Sequence, residues 1–317
     1  MRLLVVSPGS GWILDRIGQS VAQAGGWAWM QLGEGRADAR LDATKACSWT
    51  GKVEPARAEA VFYWDVQNCW GESWRDALPG VIHVGAFTHL DKDSPESYRP
   101  HWGKLDGIVH MARRYERVFA EQGWYPPERM TVIPPGEVTG FRLRPLRLGV
   151  CQRGGFPGKG DPFLFEALAN LSVGIRQHIE LCIKGTGWDN SLAEWLPKLD
   201  PMKVVLDETE GQLSYPAFYE GLDYLLIPSL WEGGPMSLIE ALACGLPVIT
   251  AEVGWVPEMT EGLDYQDVLD FEPGNHRSLQ TIITMLVERR AARRARVAGL
   301  TWQSYAERLK AFVETLR

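Results

Sequence analysis

The chain has 317 residues, a formal net charge of −7 and 45% hydrophobic residues. This length predicts about two domains with buried cores, and the acidic balance argues against a protein that coats nucleic acid. No run approaches the roughly 18 apolar residues of a membrane-spanning helix. The N-terminus, MRLLVVSPGSG, is too short in apolar residues for a signal peptide and predicts a buried strand. We therefore expect a soluble, cytoplasmic protein.

The five cysteines form no C-x-x-C pair, and Cys151, Cys182 and Cys244 lie in or beside apolar runs. This pattern predicts reduced core thiols in a reducing compartment.

Short apolar runs alternate with helical segments along the whole chain. The predicted strands are Leu3–Ser7, Ala60–Trp64, Val81–Gly85, Gly107–His110, Thr131–Pro134, Leu148–Cys151, Glu180–Lys184, Lys203–Leu206, Tyr224–Pro228 and Pro247–Thr250. The predicted helices between them include Asp15–Ala24, Ala112–Gln122, Pro162–Leu171, Ser214–Glu220 and Ser237–Ala243. Alternation of this kind predicts an α/β fold with doubly wound parallel sheets.

The segment Pro134–Arg147 mixes prolines, a glycine and arginines without a clear period, which is typical of a linker. The sequence thus predicts an N-terminal domain over residues 1–140 and a C-terminal domain over residues 141–301. Two such domains make a cleft, and ligands of open parallel sheets bind at the carboxyl ends of the strands.

The segment Tyr224–Thr250 carries the strongest signal. A buried strand is followed by the loop Ser229–Gly234 and by a helix that starts at Pro235 or Met236. A glycine-rich turn that leads into a helix N-terminus is suited to bind phosphate. Glu232 and Glu240 are placed so that both can face one ligand. The alternative is an ordinary turn with a solvated Glu232, but it leaves Glu240 in the apolar run MSLIEALA without a partner, which is costly.

A second segment, Leu148–Leu171, places Arg153 and Lys159 on a loop with four glycines. Two cations on such a loop can clamp a diphosphate, although loop cations are more often simply solvated. We predict that Asp161 caps the following helix, with Pro162 at its first position. The glycines Gly185 and Gly9, each just after a predicted strand, are weaker signals of the same kind.

Together these segments resemble the large family of retaining glycosyltransferases with two facing Rossmann-like domains, the GT-B fold. The family includes sucrose synthase and bacterial mannosyltransferases. The resemblance runs from about Ala112 to the C-terminus. It rests on YERVFAEQGWYPPERMTVIPPGEV, RGGFPGKG, IKGTG, EGGPMSLIEALACGLPVI (the E-x7-E signature), AEVGWVPEM, FEPGNHRSLQTII and LTWQSYAERLKAFVETL. It implies that the last helix, within residues 302–317, packs back on the N-terminal domain.

The resemblance also implies residue roles. Arg153 and Lys159 would hold the donor diphosphate and stabilise the leaving nucleotide in place of a metal. Glu232 would bind the donor sugar and Glu240 the ribose hydroxyls. The other implied donor-binding residues are Gly9, Gly185, Gly233, Gly234, Pro235, Met236 and Ser237.

The N-terminal half departs more from the family, which usually has a histidine near the donor sugar. His83 and His89 are the candidates, and we prefer His89 because it follows the strand; a structural histidine is nearly as good an interpretation. Trp255 stands where the family commonly has glycine and is expected to reshape the cleft.

We therefore predict a retaining hexosyl- or pentosyltransferase. It would use a nucleoside-diphosphate sugar, with uridine diphosphate the commonest choice, and neither cofactor nor metal. The alternative is an inactive nucleotide-sugar-binding or regulatory protein of the same fold. The acceptor stays open: a glycan, a lipid-linked sugar, a small molecule or a modified nucleic-acid base. The arginines of Arg289–Arg296 are either a peripheral contact to a membrane or polyanion or, more often in such helices, a solvated face.

Overall fold

The computed structural model describes residues 1–7, 13–31, 58–64, 78–88, 102–136, 140–209 and 214–317. The chain forms two compact units: an N-terminal unit, Met1–Phe141 with Arg296–Arg317, and a C-terminal unit, Arg142–Ala295. The boundaries expected from the sequence were residues 140/141 and a return at residue 302.

The N-terminal unit is built on six parallel strands in the order β2-β1-β3-β4-β5-β6. They are β1 (Leu3–Ser7), β2 (Ala28–Gln31), β3 (Ala60–Tyr63), β4 (Ile82–Phe87), β5 (Gly107–His110) and β6 (Met130–Val132). Helix α1 is Ile13–Gly25 and α2 is Arg113–Glu121. Every residue of β1, β3 and β5 is buried, which is why these strands are near-continuous apolar runs in the sequence.

The final helix of the chain, α10 (Trp302–Thr315), belongs to the N-terminal unit. Thr301 and Ser304 form a capping box at its start, with the Thr301 hydroxyl accepting from the Ser304 N–H. Buried α10 residues such as Leu309 and Val313 share one core with Phe62 and Trp64 of the sheet. This helix therefore completes a core whose strands lie some 200 residues or more earlier in the chain.

The C-terminal unit contains a second sheet of six parallel strands, ordered β12-β11-β10-β7-β8-β9. They are β7 (Leu146–Cys151), β8 (Ile179–Lys184), β9 (Lys203–Asp207), β10 (Tyr224–Ile227), β11 (Val248–Thr250) and β12 (Val268–Asp270). The helices are α3 (Asp161–Ala169), α4 (Val173–Arg176), α5 (Asp189–Leu199), α6 (Ser214–Glu220), α7 (Met236–Ala243), α8 (Val256–Thr260) and α9 (His276–Val297).

The strand order of this second sheet reverses between β7 and β10. From β7 the chain proceeds to β8 and β9 on one side, and it then returns to β10, β11 and β12 on the other. In open parallel sheets such a reversal leaves a crevice at the carboxyl ends of the two central strands, where ligands bind.

These two sheets confirm the predicted α/β class with two Rossmann-like parallel-sheet domains. A facing arrangement across a cleft remains a prediction. Within the described ranges, no helix combines the length and apolar character needed to cross a membrane.

Two local expectations were wrong, and two strands were missed. Asp161 does not cap α3: the cap position is held by Gly160 in a left-handed conformation (φ 74°), and Asp161 is the first helical residue. Its buried carboxylate instead accepts hydrogen bonds from the Gly155 N–H and the Gln152 side chain. Cys244 is exposed rather than part of the core. Strands β2 and β12 were not predicted at all.

Candidate functional site

A cavity of about 550 Å³ opens in the C-terminal unit, at the carboxyl ends of its central strands. Its lining comes from the residues that end or follow β7, β8 and β9, from the loop after β10 and from the start of α7. The lining residues are Cys151, Gln152, Arg153, Lys159, Lys184, Gly185, Thr186, Glu208, Thr209, Tyr215, Glu232, Gly234, Pro235, Met236, Ser237 and Glu240. The cavity thus lies at the reversal of strand order, where a doubly wound sheet binds its ligand.

Lys159 and Glu232 meet in this cavity although 73 residues separate them in sequence. The Lys159 ammonium donates to Glu232 Oε2 at 2.6 Å. The Glu232 side chain is 13% exposed and that of Lys159 31%. The other carboxylate oxygen, Oε1, is buried and has no hydrogen-bond partner among the residues described. An unpaired buried acceptor is unfavourable, so this carboxylate has an unused capacity to accept a hydrogen bond.

Backbone geometry holds the Lys159 loop against the loop that follows β10. Lys159 ends the short 3-10 turn Pro157–Lys159, and its carbonyl accepts from the Gln152 side chain at 2.9 Å. A Cβ atom on the next residue, Gly160, would lie 2.0 Å from the Pro228 carbonyl oxygen. The close approach and the positive φ both require glycine at this position.

Arg153 lines the same cavity but is exposed, and its guanidinium lies 5.7 Å from the centre of the Phe156 ring. The two predicted cations therefore differ: Lys159 is engaged by a carboxylate, whereas Arg153 packs loosely on an aromatic ring. An exposed arginine on a cavity rim can donate two parallel hydrogen bonds to a phosphate.

Glu240 reaches the cavity from the second turn of α7 and is held by Tyr219. The buried Tyr219 hydroxyl donates a short hydrogen bond to Glu240 Oε2. The partner that the sequence interpretation required for this carboxylate is therefore a tyrosine on α6. Sequence analysis did not single out Tyr219, since its preceding residues give only an ordinary amphipathic helix.

The N-terminus of α7 faces the cavity with Met236 and Ser237, and no side chain caps the helix. The N–H groups of such a first turn are left for another acceptor, and the helix dipole favours an anion there. The Trp255 ring lies close to Gly234, where a Cβ atom would be only 2.2 Å from the ring. Trp255 thus packs against the loop that leads into α7.

Lys184 is a further lining residue that the sequence did not reveal. Its side chain is 1% exposed, and its ammonium donates to Asp207 Oδ2 at 2.8 Å and to the Thr209 carbonyl at 2.7 Å. The hydrogen bond from Lys184 lowers the pKa of Asp207 to about 2, so the carboxylate stays ionised beside the lysine. The residue lies at the end of an apolar strand, and this position gave no sign of a buried ion pair.

The structure brings most of the predicted site residues together. Arg153, Lys159, Gly185, Glu232, Gly234, Pro235, Met236, Ser237 and Glu240 all line the cavity. Gly233 belongs to the same loop as Glu232 but does not line the cavity; it packs instead beside Gly254. Gly9 and His89 lie outside the described residues, so their predicted roles remain predictions.

The second candidate histidine, His83, lies inside β4 and not at a loop. Its side chain is buried, and Nδ1 lies 2.8 Å from the Tyr63 hydroxyl. This hydrogen bond between neighbouring strands is what a structural histidine would make.

The arginine run of α9 is only partly free for other contacts. Arg290 pairs with Asp223 at 3.0 Å and donates to the Arg144 carbonyl, which ties α9 to the start of the C-terminal unit. Arg289, Arg293 and Arg296 are exposed. The contact of this helix with a membrane or polyanion remains a prediction.

Residues 148–289 match the family model described as glycosyl transferases group 1. The matched range begins in β7 and ends in α9, so it includes every residue that lines the cavity.

Two curated proteins are similar to this chain. A D-inositol 3-phosphate glycosyltransferase of Streptomyces bingchenggensis is 31% identical over 193 residues, which are 55% of this chain and 40% of that protein. An MMP alpha-(1->4)-mannosyltransferase of Mycolicibacterium hassiacum is 26% identical over 204 residues, 59% of this chain and 49% of that protein. The match thus spans about half, or less, of the length of these relatives.

Among solved structures, the lipopolysaccharide outer core galactosyltransferase WaaB in its apo form has a TM-score of 0.41 at 15% identity, with 99% of each chain covered. Anabaena Alr3699/HepE in complex with UDP and glucose has a TM-score of 0.38 at 15% identity, covering 100% of this chain and 97% of that one.

Proposed function

We propose that this protein is a glycosyltransferase that moves a sugar from a nucleoside-diphosphate sugar to an acceptor. The observation that carries the proposal is the cavity at the strand reversal. It gathers three cations (Arg153, Lys159 and Lys184), three carboxylates (Glu208, Glu232 and Glu240) and the open N-terminus of α7. The family match over residues 148–289 and the two related glycosyltransferases support it.

Each part of the cavity suits one part of such a donor. Arg153, Lys159 and the first turn of α7 would bind the diphosphate. Glu232 would accept a hydrogen bond from a sugar hydroxyl, and Glu240 would accept from the ribose. As the bond from the sugar carbon to the phosphate oxygen breaks, negative charge grows on the leaving phosphate. Fixed cations stabilise that charge more in the transition state than in the ground state.

Retention of configuration is part of the proposal and rests on the family resemblance. A new bond forms from the acceptor oxygen to the sugar carbon on the face that the phosphate leaves. The acceptor proton passes to the departing phosphate oxygen. The protein supplies no nucleophile in this scheme, so Glu232 acts by binding and orientation.

We also propose that no metal ion is required, since Arg153 and Lys159 can carry the diphosphate charge. Chelator-treated protein should keep its rate, and a loss of rate restored by magnesium or manganese would contradict this. The sequence holds one Asp-x-Asp triplet, Asp91–Asp93, outside the described residues. Such a pair of carboxylates can bind a divalent ion. If the reaction needs no metal, changing both residues to Asn should leave the rate unaltered.

The decisive experiment tests a panel of uridine, guanosine and adenosine diphosphate sugars for binding and for slow hydrolysis. Lys159→Ala should lower kcat/KM by roughly 10²-fold, the scale for loss of one strong transition-state contact. Lys198→Ala is the matched control, because Lys198 is a surface residue of α5 outside the cavity lining, where it pairs with Glu194 and lies over the Trp195 ring.

The two outcomes that contradict the proposal differ. Wild-type protein that binds no member of the panel is not a nucleotide-sugar enzyme. Tight binding with no hydrolysis, and no transfer to sugar, lipid-linked or nucleic-acid acceptors, would instead support the alternative of an inactive nucleotide-sugar-binding protein.

A further inference from the structure

One tyrosine hydroxyl links two helices behind the cavity. Tyr219 on α6 is 2% exposed, and its hydroxyl donates to Glu240 Oε2 on α7. Cys151, at the end of β7, lies near the same hydroxyl. Both Cys151 and Glu240 line the cavity, whereas Tyr219 lies behind them and does not.

The direction of this hydrogen bond follows from protonation. Burial, with Cys151 and Glu240 adding to it, raises the pKa of Tyr219 far above its ordinary value, so the hydroxyl always carries its proton. The hydroxyl is therefore the donor and the Glu240 carboxylate the acceptor.

A glutamate side chain has three rotatable bonds, and ordering it has an entropic cost when a ligand binds. Glu240 is half-buried, and Tyr219 is the only described residue for which a side-chain hydrogen bond to it is found. With Oε2 fixed in this way, Oε1 is the oxygen left for a ligand in the cavity. The carboxylate is thereby oriented before the ligand arrives.

The geometry points to Tyr219 as a positioning residue. It holds the Glu240 carboxylate in the orientation that accepts hydrogen bonds from the nucleotide ribose, without touching the nucleotide itself. This inference rests on the proposed function, because it assigns the ligand group that Glu240 meets.

The test is a double-mutant cycle with nucleoside diphosphates as the probe. UDP, GDP and ADP are titrated by calorimetry into the wild-type protein, and the tightest is used for Tyr219→Phe, Glu240→Gln and the double variant. Tyr219→Phe should weaken binding by about tenfold, the scale of a hydrogen bond to a charged group. The double variant should bind within about twofold of Glu240→Gln alone, because both changes remove one interaction.

Two further readouts separate positioning from a merely structural role. Tyr224→Phe, on β10 and outside the cavity lining, is the matched control and should keep wild-type affinity. In steady-state assays Tyr219→Phe should raise KM for the donor and leave kcat near wild type, as expected for a ground-state contact that persists in the transition state.

If Tyr219→Phe binds the nucleotide as tightly as the wild type while Glu240→Gln binds it more weakly, the positioning role is overturned and the proposed function is not. Losses that multiply in the double variant would also overturn it, since Tyr219 would then act independently of Glu240. If the wild-type protein binds none of the three nucleotides, the proposed function fails and this inference fails with it.

Discussion

At the scale of single residues, Glu232 has a partner that changes what its removal should do. Its carboxylate holds Lys159 at 2.6 Å, so the predicted diphosphate-binding cation is engaged before any ligand arrives. Glu232→Gln would release Lys159. Nucleoside-diphosphate affinity should then stay equal or become tighter, while kcat falls because the sugar contact is weakened.

Glu240→Gln should behave in the opposite way. If Glu240 contacts the ribose, the variant should bind the free nucleoside diphosphate and the donor about tenfold more weakly, since hydrogen bonds to a carboxylate contribute about 1.5–3 kcal/mol. Calorimetry with the nucleotide, beside rate measurements, separates the two carboxylates. An equal loss of nucleotide affinity in both variants would mean that they only support the loop.

His110 at the end of β5 provides a test in the other unit. It is fully buried next to Phe87 and Phe119, and its Nδ1 has no hydrogen-bond partner in the described ranges. Burial lowers the pKa of His110 from 6.5 to about 4. The unfolded chain therefore binds a proton on this imidazole at a higher pH than the folded chain does. The contribution of His110 to the free energy of unfolding is fully present above pH 6.5 and is lost as the pH falls toward 4.

The expected loss is of the order of 3 kcal/mol, from about 1.4 kcal/mol per pKa unit. Urea unfolding between pH 4.5 and 7 should show a steep pH dependence that is absent in His110→Leu. His178→Leu is the control, because His178 is exposed. If His110→Leu keeps the wild-type slope, other groups titrate in this range.

At the scale of elements, the sequence predicted long and strongly patterned segments well. The runs that became β1 and β5 are fully buried and largely apolar, and the centre of β8 is too, so their pattern predicted both type and position. β2 and β12 were missed, although β5 and β11 are equally short and were predicted. A segment of three or four residues has no period of its own, so its prediction depends on its surroundings, and β12 follows a polar, acidic stretch.

The site was predictable where one segment carried its parts, and not where distant segments meet. The E-x7-E pattern located Glu232 and Glu240, but the Lys159–Glu232 pair and the Tyr219–Glu240 bond join different loops and helices. Asp161 shows the same limit: its sequence context is that of a helix cap, yet backbone and side-chain donors of the preceding loop hold it inside the unit.

Gly160 tests how the loop after β7 positions Lys159. Gly160→Ala would place a methyl group against the Pro228 carbonyl at a left-handed φ. The left-handed conformation alone costs about 1–2 kcal/mol, and relief of the clash must move the loop. We expect a lower melting temperature and weaker nucleotide binding together.

The matched control is Gly174→Ala in α4, where the nearest atom to a new Cβ atom is Ser172 Oγ at 3.9 Å and φ is not positive. That variant should be neutral or slightly stabilised, because alanine restricts the unfolded chain. Unchanged binding in a destabilised Gly160→Ala would show that the Lys159 position does not depend on this turn.

At the scale of the whole molecule, each unit has its own core. The core of the C-terminal unit includes Leu168 and Leu225, while Leu309 of α10 belongs to the core of the N-terminal unit. Every described residue that lines the cavity belongs to the C-terminal unit. A nucleotide that binds there stabilises the folded C-terminal unit directly, by mass action.

Thermal unfolding should therefore show two transitions. A bound nucleoside diphosphate should raise the midpoint temperature of only one of them. Leu309→Ala should lower the other transition, since truncation of a buried leucine costs about 2–5 kcal/mol. Leu168→Ala, equally buried and outside the cavity lining, should lower only the nucleotide-sensitive transition. Calorimetric scans of the three proteins with and without nucleotide make the comparison. A single transition whose midpoint temperature both variants lower equally would mean that the two cores unfold as one cooperative unit. The α10 contacts would then stabilise the nucleotide site as much as the N-terminal sheet.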